Sequence, residues 1–254
     1  ENATFTNGGL IATTAGSVDT QFDHIIFDGC DVKMQVNKML VRFDRRTDNL
    51  ISTIVNFAIY NTKVKLPLSP NNSAINMFFV YAHDSKTFNG CESLVYKNNI
   101  FYAAENGSAL TNFTLLQSNT SLGEFNKVIV QNNTLVNLLS LNLLVRAKMK
   151  KLSITNNLLW NNSSEGGDRR VITLMDGSDT NAVEYGDNKV YDISPDAKKW
   201  ILFFKGVTPD PIEGGNNLPI EAVDPFATEG GSMDWNAGVF VPGAGYENIG
   251  AHIN

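Results

Sequence analysis

Apolar residues in this chain come in short alternating runs broken by asparagine. In residues 152–161, Leu152 and Ile154 alternate with Ser153 and Thr155, Asn156-Asn157 interrupts, and Leu158-Leu159-Trp160 resumes the apolar signal. Alternation with a period of two is the pattern of a half-buried strand. Asparagine tolerates the left-handed backbone region and bonds nearby backbone, so an Asn pair between two apolar runs marks a bend. The phrase recurs at Phe27-Asp28-Gly29-Cys30, Ile54-Val55-Asn56-Phe57, Tyr96-Lys97-Asn98-Asn99, Val130-Gln131-Asn132-Asn133 and Tyr185-Gly186-Asp187-Asn188. With bends anchored at 29, 56, 98, 132, 156 and 187, the spacings are 27, 42, 34, 24 and 31 residues. A second apolar strand follows each bend, at 39–43, 77–81, 113–116, 143–146, 171–175 and 201–204.

Repeats of this length that cannot bury their inner side chains alone predict a solenoid. The shortest spacing is about one turn of a parallel β-helix, and longer ones add a surface loop. The expected fold is all-β: one parallel β-helix of about six coils. Equivalent residues should stack into columns about 4.8 Å apart. One inward column is expected to be Phe27, Ile54, Tyr96, Val130, Ile154 and Tyr185, and a bend column Gly29, Asn56, Asn98, Asn132, Asn156 and Asp187. Amides stacked in the bend column should bond up and down it. A β-sandwich would explain short strands but not the repeated bend. Residues 1–23 read as an incomplete first coil or cap, 24–205 as the repeat coils, and 206–254 as an irregular tail packed over the last coil. Trp200, Phe226, Trp235 and Phe240 are the bulky residues for that packing.

Composition narrows the function classes. The chain has 254 residues, a net charge of −6 and 18 % charged residues, with no basic patch of the kind a nucleic-acid binder carries. No apolar run reaches membrane-spanning length, so membrane insertion of this segment is not expected. The chain begins at Glu1 rather than Met, and an upstream export signal removed in maturation is expected. Asparagine makes up 31 residues, and eight Asn-x-Ser/Thr sequons occur, at Asn2, Asn71, Asn106, Asn112, Asn119, Asn132, Asn161 and Asn162. Chance in an Asn-, Ser- and Thr-rich chain accounts for them; glycosylation is the alternative reading. Cys30 and Cys91 are too few for a disulfide framework.

The Asn-bend coils resemble the right-handed parallel β-helix, or pectin-lyase-like, superfamily. The tail, from Asp224-Pro225-Phe226 through Gly238-Val239-Phe240-Val241-Pro242 to Tyr246 and Ile249-Gly250-Ala251, is similar to the endings of uncharacterised β-helix proteins exported by Bacteroidetes gut bacteria. That resemblance implies a component of a polysaccharide-use system, at the cell surface as a lipoprotein or secreted. Fold by itself does not give activity.

The superfamily's lyases resemble one another in using clustered carboxylates that hold calcium, with Arg or Lys as base. Here the outward columns are expected to be Ile26, Thr53, Val95, Ile129, Ser153, Glu184 and Asp28, Val55, Lys97, Gln131, Thr155, Gly186. No three carboxylates meet, so calcium is possible but not evident, and no other cofactor is indicated. The hydrolases' paired aspartates and His-Gly are absent, and Arg146-Ala147-Lys148 alone is a weak signal. His24, His83 and His252 lack metal spacing. Asp28, Lys97, Arg42 and Asp44 are the catalytic candidates if the protein is an enzyme, with Arg42 and Asp44 in a charged cluster that also reads as a solvated turn. No P-loop, dinucleotide fingerprint, nucleophile elbow or zinc pattern occurs.

Four positions past the bend lie Lys33, Tyr60, Tyr102, Val136, Trp160 and Tyr191. The neighbouring column, Val32, Ile59, Phe101, Leu135, Leu159 and Val190, is uniformly apolar, so alternation sends the aromatic column outward. Tyr60, Tyr102, Trp160 and Tyr191 would then offer rings to the C–H faces of sugars. The alternative, a column covered by a loop or turned into the core, stays open. The leading expectation is a non-catalytic, monomeric polysaccharide-binding protein. A lyase or glycosidase with a loop-built site, and a structural or adhesion spacer, are the alternatives.

Overall fold

A computed structural model describes residues 11–13, 20–35, 39–43, 52–67, 75–80, 88–103, 113–118, 123–138, 142–145, 148–161, 169–174, 183–193, 200–202, 216–218 and 220–253. Among them there is no helix, and three sheets of parallel strands wind into a β-solenoid. The long sheet stacks Thr20–Asp28, Ser52–Tyr60, Phe88–Lys97, Glu124–Gln131, Leu152–Thr155 and Val183–Gly186, with Lys148–Met149 also paired to Glu124–Gln131. Beyond the bend, the short sheet stacks Asp31–Lys33, Lys63–Leu66, Ile100–Ala103, Thr134–Val136, Leu158–Trp160 and Lys189–Tyr191. The return sheet runs Ile11–Thr13, Met39–Phe43, Ile75–Val80, Phe113–Ser118, Asn142–Val145, Arg169–Leu174, Trp200–Leu202 and Asn216–Leu218, the last pair antiparallel.

The bend is built from two residues with different work. The first is left-handed in every coil: Gly29, Asn61, Asn98, Asn132, Asn156 and Asp187 have φ between 47° and 62°. Gly, Asn and Asp are the residues that reach this region at least cost. The second is buried and forms the ladder. Asn99 Nδ2 donates to Asn133 Oδ1 at 3.0 Å, Asn133 Nδ2 to Asn157 Oδ1 at 3.0 Å, and Asn157 Nδ2 to Asn188 Oδ1 at 2.8 Å. Each Oδ1 also takes the backbone N–H of the coil before it, Thr62 N reaching Asn99 at 3.0 Å and Asn133 N reaching Asn157 at 2.9 Å. Each Nδ2 further satisfies a long-sheet carbonyl, those of Ile59, Tyr96, Val130 and Ile154. The expected amide ladder thus stands one residue later than anticipated. On the exposed first column, Asn61 bonds Asp28 and Asn98 bonds Asn61.

The second coil corrects the alignment. Its bend is Asn61-Thr62, not Asn56, so the observed anchors are 29, 61, 98, 132, 156 and 187. The inward column is Phe27, Ile59, Tyr96, Val130 and Ile154; Tyr185 continues it in register but is 40 % exposed, so the inward position expected for it is not realised, and Ile54 stacks instead between Phe22 and Cys91. Asn56 faces outward because the in–out alternation of the long strands is interrupted, in register, at the same place in successive coils. Buried Ile54 and Phe57 are three residues apart, as are Cys91 and Leu94, Phe125 and Val128, and Met149 and Leu152. A pair of consecutive residues between each couple is therefore left off the core.

Inside, Phe57 packs edge-on to Phe78 and Tyr96 at ring distances of 5.1 and 5.9 Å, and the buried Tyr96 hydroxyl donates to the Leu115 carbonyl. Both cysteines are free. Burial pushes the Cys91 thiol up to about 12, so almost no thiolate forms at neutral pH. An alkylating reagent is expected to label half-buried Cys30 in the native protein and Cys91 only on unfolding, read by mass spectrometry. Labelling of Cys91 at the native rate of Cys30 would contradict this burial.

The described part of the tail does not sit mainly over the last coil. Ile220 bridges Val190, and Asn216–Leu218 pairs with Trp200–Leu202, which covers part of the strand edges at that end. Residues 221–253 then run back along the outer flank of the short sheet. Glu221 N bonds Val190 O, Gly250 N bonds Asn156 O, Ala251 N bonds Thr134 Oγ1 and His252 N bonds Asn98 Oδ1.

Candidate binding face

The register decides which proposed residues share a face. The flank column is Lys33, Lys65, Tyr102, Val136, Trp160 and Tyr191; Lys65, not Tyr60, stands in it, with its ammonium 5.9 Å from the Tyr102 ring centre. The column does point away from the core, as alternation predicts, but the tail covers its aromatic part. Tyr102 and Trp160 are 6 % and 8 % exposed. Trp160 stacks on half-buried Tyr191 at 6.2 Å, meets Phe226 and Trp235 at 6.0 and 6.2 Å, and donates its indole N–H to Asp224 at 2.9 Å. Tyr102 lies 5.2 Å from Phe240 and under Gly238, where a Cβ would meet the phenol oxygen at 2.7 Å. These rings are the docking surface of the tail, not an open strip. Burial raises the Tyr102 hydroxyl above the ordinary phenol range, with a smaller push from Asp31.

Tyr60 belongs to the outer face of the long sheet. It stands half-buried between exposed Asp28 and exposed Lys97 on the adjacent coils, where Val55 was expected. The next column contains Ile26, Ala58, Val95, Ile129, Ser153 and Glu184, so Ala58 takes the place expected for Thr53. Ile26 is 54 % exposed. Asp28 accepts from the Asn61 amide at 2.8 Å, which ties its carboxylate to the bend that follows Tyr60. Arg42 pairs in register with Ala12 and Phe79 on the return sheet, a different face from Asp28 and Lys97, and Asp44 lies outside the described residues. Of the described candidates, Arg42 therefore does not share a face with Asp28 and Lys97. His24 is exposed and contacts Asn56 at 3.3 Å, while His83 lies outside the described residues.

Sequence reasoning passed over a cleft of about 610 Å³ on the same sheet, lined by Thr53, Val55, Gly90, Glu92, Glu124 and Asn126 among others. Asn126 donates to the Glu92 carboxylate. Glu124 is paired with Lys150 at 2.6 Å and Lys148 at 3.5 Å. The Lys150 hydrogen bond, reinforced by both lysine charges, holds its carboxyl below the usual range. The interrupted alternation put these residues outward, and a strict period of two could not find them. Among the described residues no group of three His, Cys, Asp or Glu side chains could hold a metal ion. No described helix is long and apolar enough to cross a membrane. Of the sequons, Asn161 is buried and donates to Asn137, so its amide has no room for a glycan.

Fold and face together define a parallel β-solenoid protein with a tail-covered aromatic flank and an open polar face. No protein-family model, curated protein or solved structure matches the chain.

Proposed function

We propose that the chain is an exported, non-catalytic polysaccharide-binding protein of a bacterial glycan-use system, placed at the cell surface or secreted and acting as a monomer. In this reading it is one right-handed β-helix domain of about six coils, with residues 206–254 closing and flanking it. One observation carries the binding function: a half-buried tyrosine ring stands on an open sheet face between a carboxylate and an ammonium group, Tyr60 between Asp28 and Lys97. A sugar stacks its C–H face on such a ring while its hydroxyls take the charged partners. Tyr60→Ala is expected to weaken binding to the best glycan on an array by about tenfold. Unchanged affinity would remove Tyr60 and its neighbours as the site.

A second reading, a lyase or glycosidase, draws on the cleft that contains Glu92 and Glu124. Glycoside hydrolysis needs one carboxyl protonated as general acid. The lysines around Glu124 favour its ionised form, which suits a nucleophile or base but not that acid. Incubation with polysaccharides is expected to give neither unsaturated products by ultraviolet absorbance nor new reducing ends. Turnover lost in Glu92→Gln would reverse the preference.

A further inference from the structure

The interrupted alternation of the long sheet also lines up cations. Equal offsets from Glu124↔Lys148 to Val128↔Leu152 set Lys150 beside Asn126 and Lys151 beside Lys127. The Val128 N–H donates to the Lys151 carbonyl at 2.9 Å, which fixes that register. Lys127, Lys148, Lys150 and Lys151 are all exposed. Lys148 and Lys150 share Glu124, whereas Lys127 and Lys151 pair with no carboxylate among the described residues. Lys127 and Lys151 thus occupy facing backbone positions of adjacent coils, about 4.8 Å apart along the stack, an arrangement unfavourable for like charges. Folding alone gives no reason to place them so in a chain of net charge −6. The column continues through Ser93, Asn56 and His24, all polar and off the core.

We infer that the Lys127–Lys151 pair is an oxyanion site, and that the polysaccharide bound on this face carries sulfate or carboxylate groups. An oxyanion placed between the ammonium groups accepts hydrogen bonds from both and removes their repulsion. Glu124 limits the site by neutralising its own two lysines, and Glu92 opposes it from the neighbouring strand. The Tyr60 column lies four residues further along each strand, about 13 Å away, so one chain of several sugars can span both. The inference rests on the glycan-binding reading above.

Binding of polygalacturonate (carboxylate), dextran sulfate (sulfate), neutral dextran and a single-stranded oligonucleotide tests it by titration calorimetry. Wild type, Lys127→Gln/Lys151→Gln, Tyr60→Ala and a control at Lys33 on the short sheet are compared. At least one anionic polysaccharide is expected to bind about tenfold or more tighter than dextran and to weaken as salt rises to about 0.15 M. The double variant should lose that preference, and the Lys33→Gln control should keep it. An unchanged double variant overturns the site, as does an oligonucleotide that binds as tightly as the polysaccharides. Retention of neutral dextran alone overturns the anionic specificity and leaves the glycan-binding reading standing. No binding to any polysaccharide overturns both. A thermal melt of the double variant close to wild type shows that the loss is one of binding.

Discussion

Replacing Asn157 by alanine is expected to lower the unfolding free energy by about 4 kcal/mol, the largest effect of any single polar substitution proposed for this chain. The side chain is fully buried and lies in the middle of the amide ladder. Its Nδ2 donates to Asn188 Oδ1, Val130 O and Thr155 O, and its Oδ1 accepts from Asn133 N and Nδ2. Truncation leaves several of those groups buried without a partner, each a desolvation cost of about 1–3 kcal/mol, partly relieved by water or a local shift. For a domain of this size the melting temperature should fall by about 10 °C. The neighbour supplies the control. Asn156 has φ 57° and is half-exposed, so Asn156→Gly should be nearly neutral, because glycine enters that region freely. Denaturant titration of both variants checks the contrast. Similar losses at 156 and 157 would mean that the left-handed turn, and not the ladder, holds the coils in register.

Trp160→Ala should release the tail. The indole is the centre of the flank cluster, and removing a buried Trp costs about 3–5 kcal/mol. Its N–H also leaves Asp224 Oδ1, which at present takes the Phe226 N–H as well. Because the solenoid core is a separate cluster on the other side of the short sheet, the loss should fall on the tail. Limited proteolysis is expected to cut within 220–253 while the far-ultraviolet sheet signal persists. Gly238→Val should do the same by a different route, since its Cβ would press on the Tyr102 phenol at a φ of 61°. Loss of the sheet signal together with the tail would show that the tail is part of the fold nucleus. The glycan titrations then separate the two aromatic sites. Unchanged affinity in Trp160→Ala agrees with Tyr60 as the platform, whereas a rise in affinity would make the uncovered Tyr102, Trp160 and Tyr191 a binding strip.

Much of the fold was legible because the bend has a local cause. Asn98-Asn99, Asn132-Asn133 and Asn156-Asn157 combine a left-handed first residue with a laddering second one, and both preferences belong to asparagine itself. The second coil misled for the same reason. Thr62 stands where the ladder residue should be, joining it through its Oγ1 to Cys30 N, so the Asn pair is missing. Asn56 sits between apolar runs and mimics the bend, and only the strand register shows that it lies within the long strand, where alternation is interrupted and it stays off the core. That one slip moved Tyr60 out of the flank column and onto the open face.

The sequence by itself determined the parallel coils, the inward columns of four of the six bends and the outward direction of the flank, because these follow from alternation and from the backbone preference of asparagine. Tertiary structure alone decided which outward residues see solvent. Tyr102 and Trp160 point out by alternation and are buried by Phe226 and Phe240, residues that follow them in the chain by more than 60 positions and carry no period. It likewise decided the company of Tyr60 and of Lys127 and Lys151, since contact across coils depends on loop lengths between them and not on any pattern within a coil.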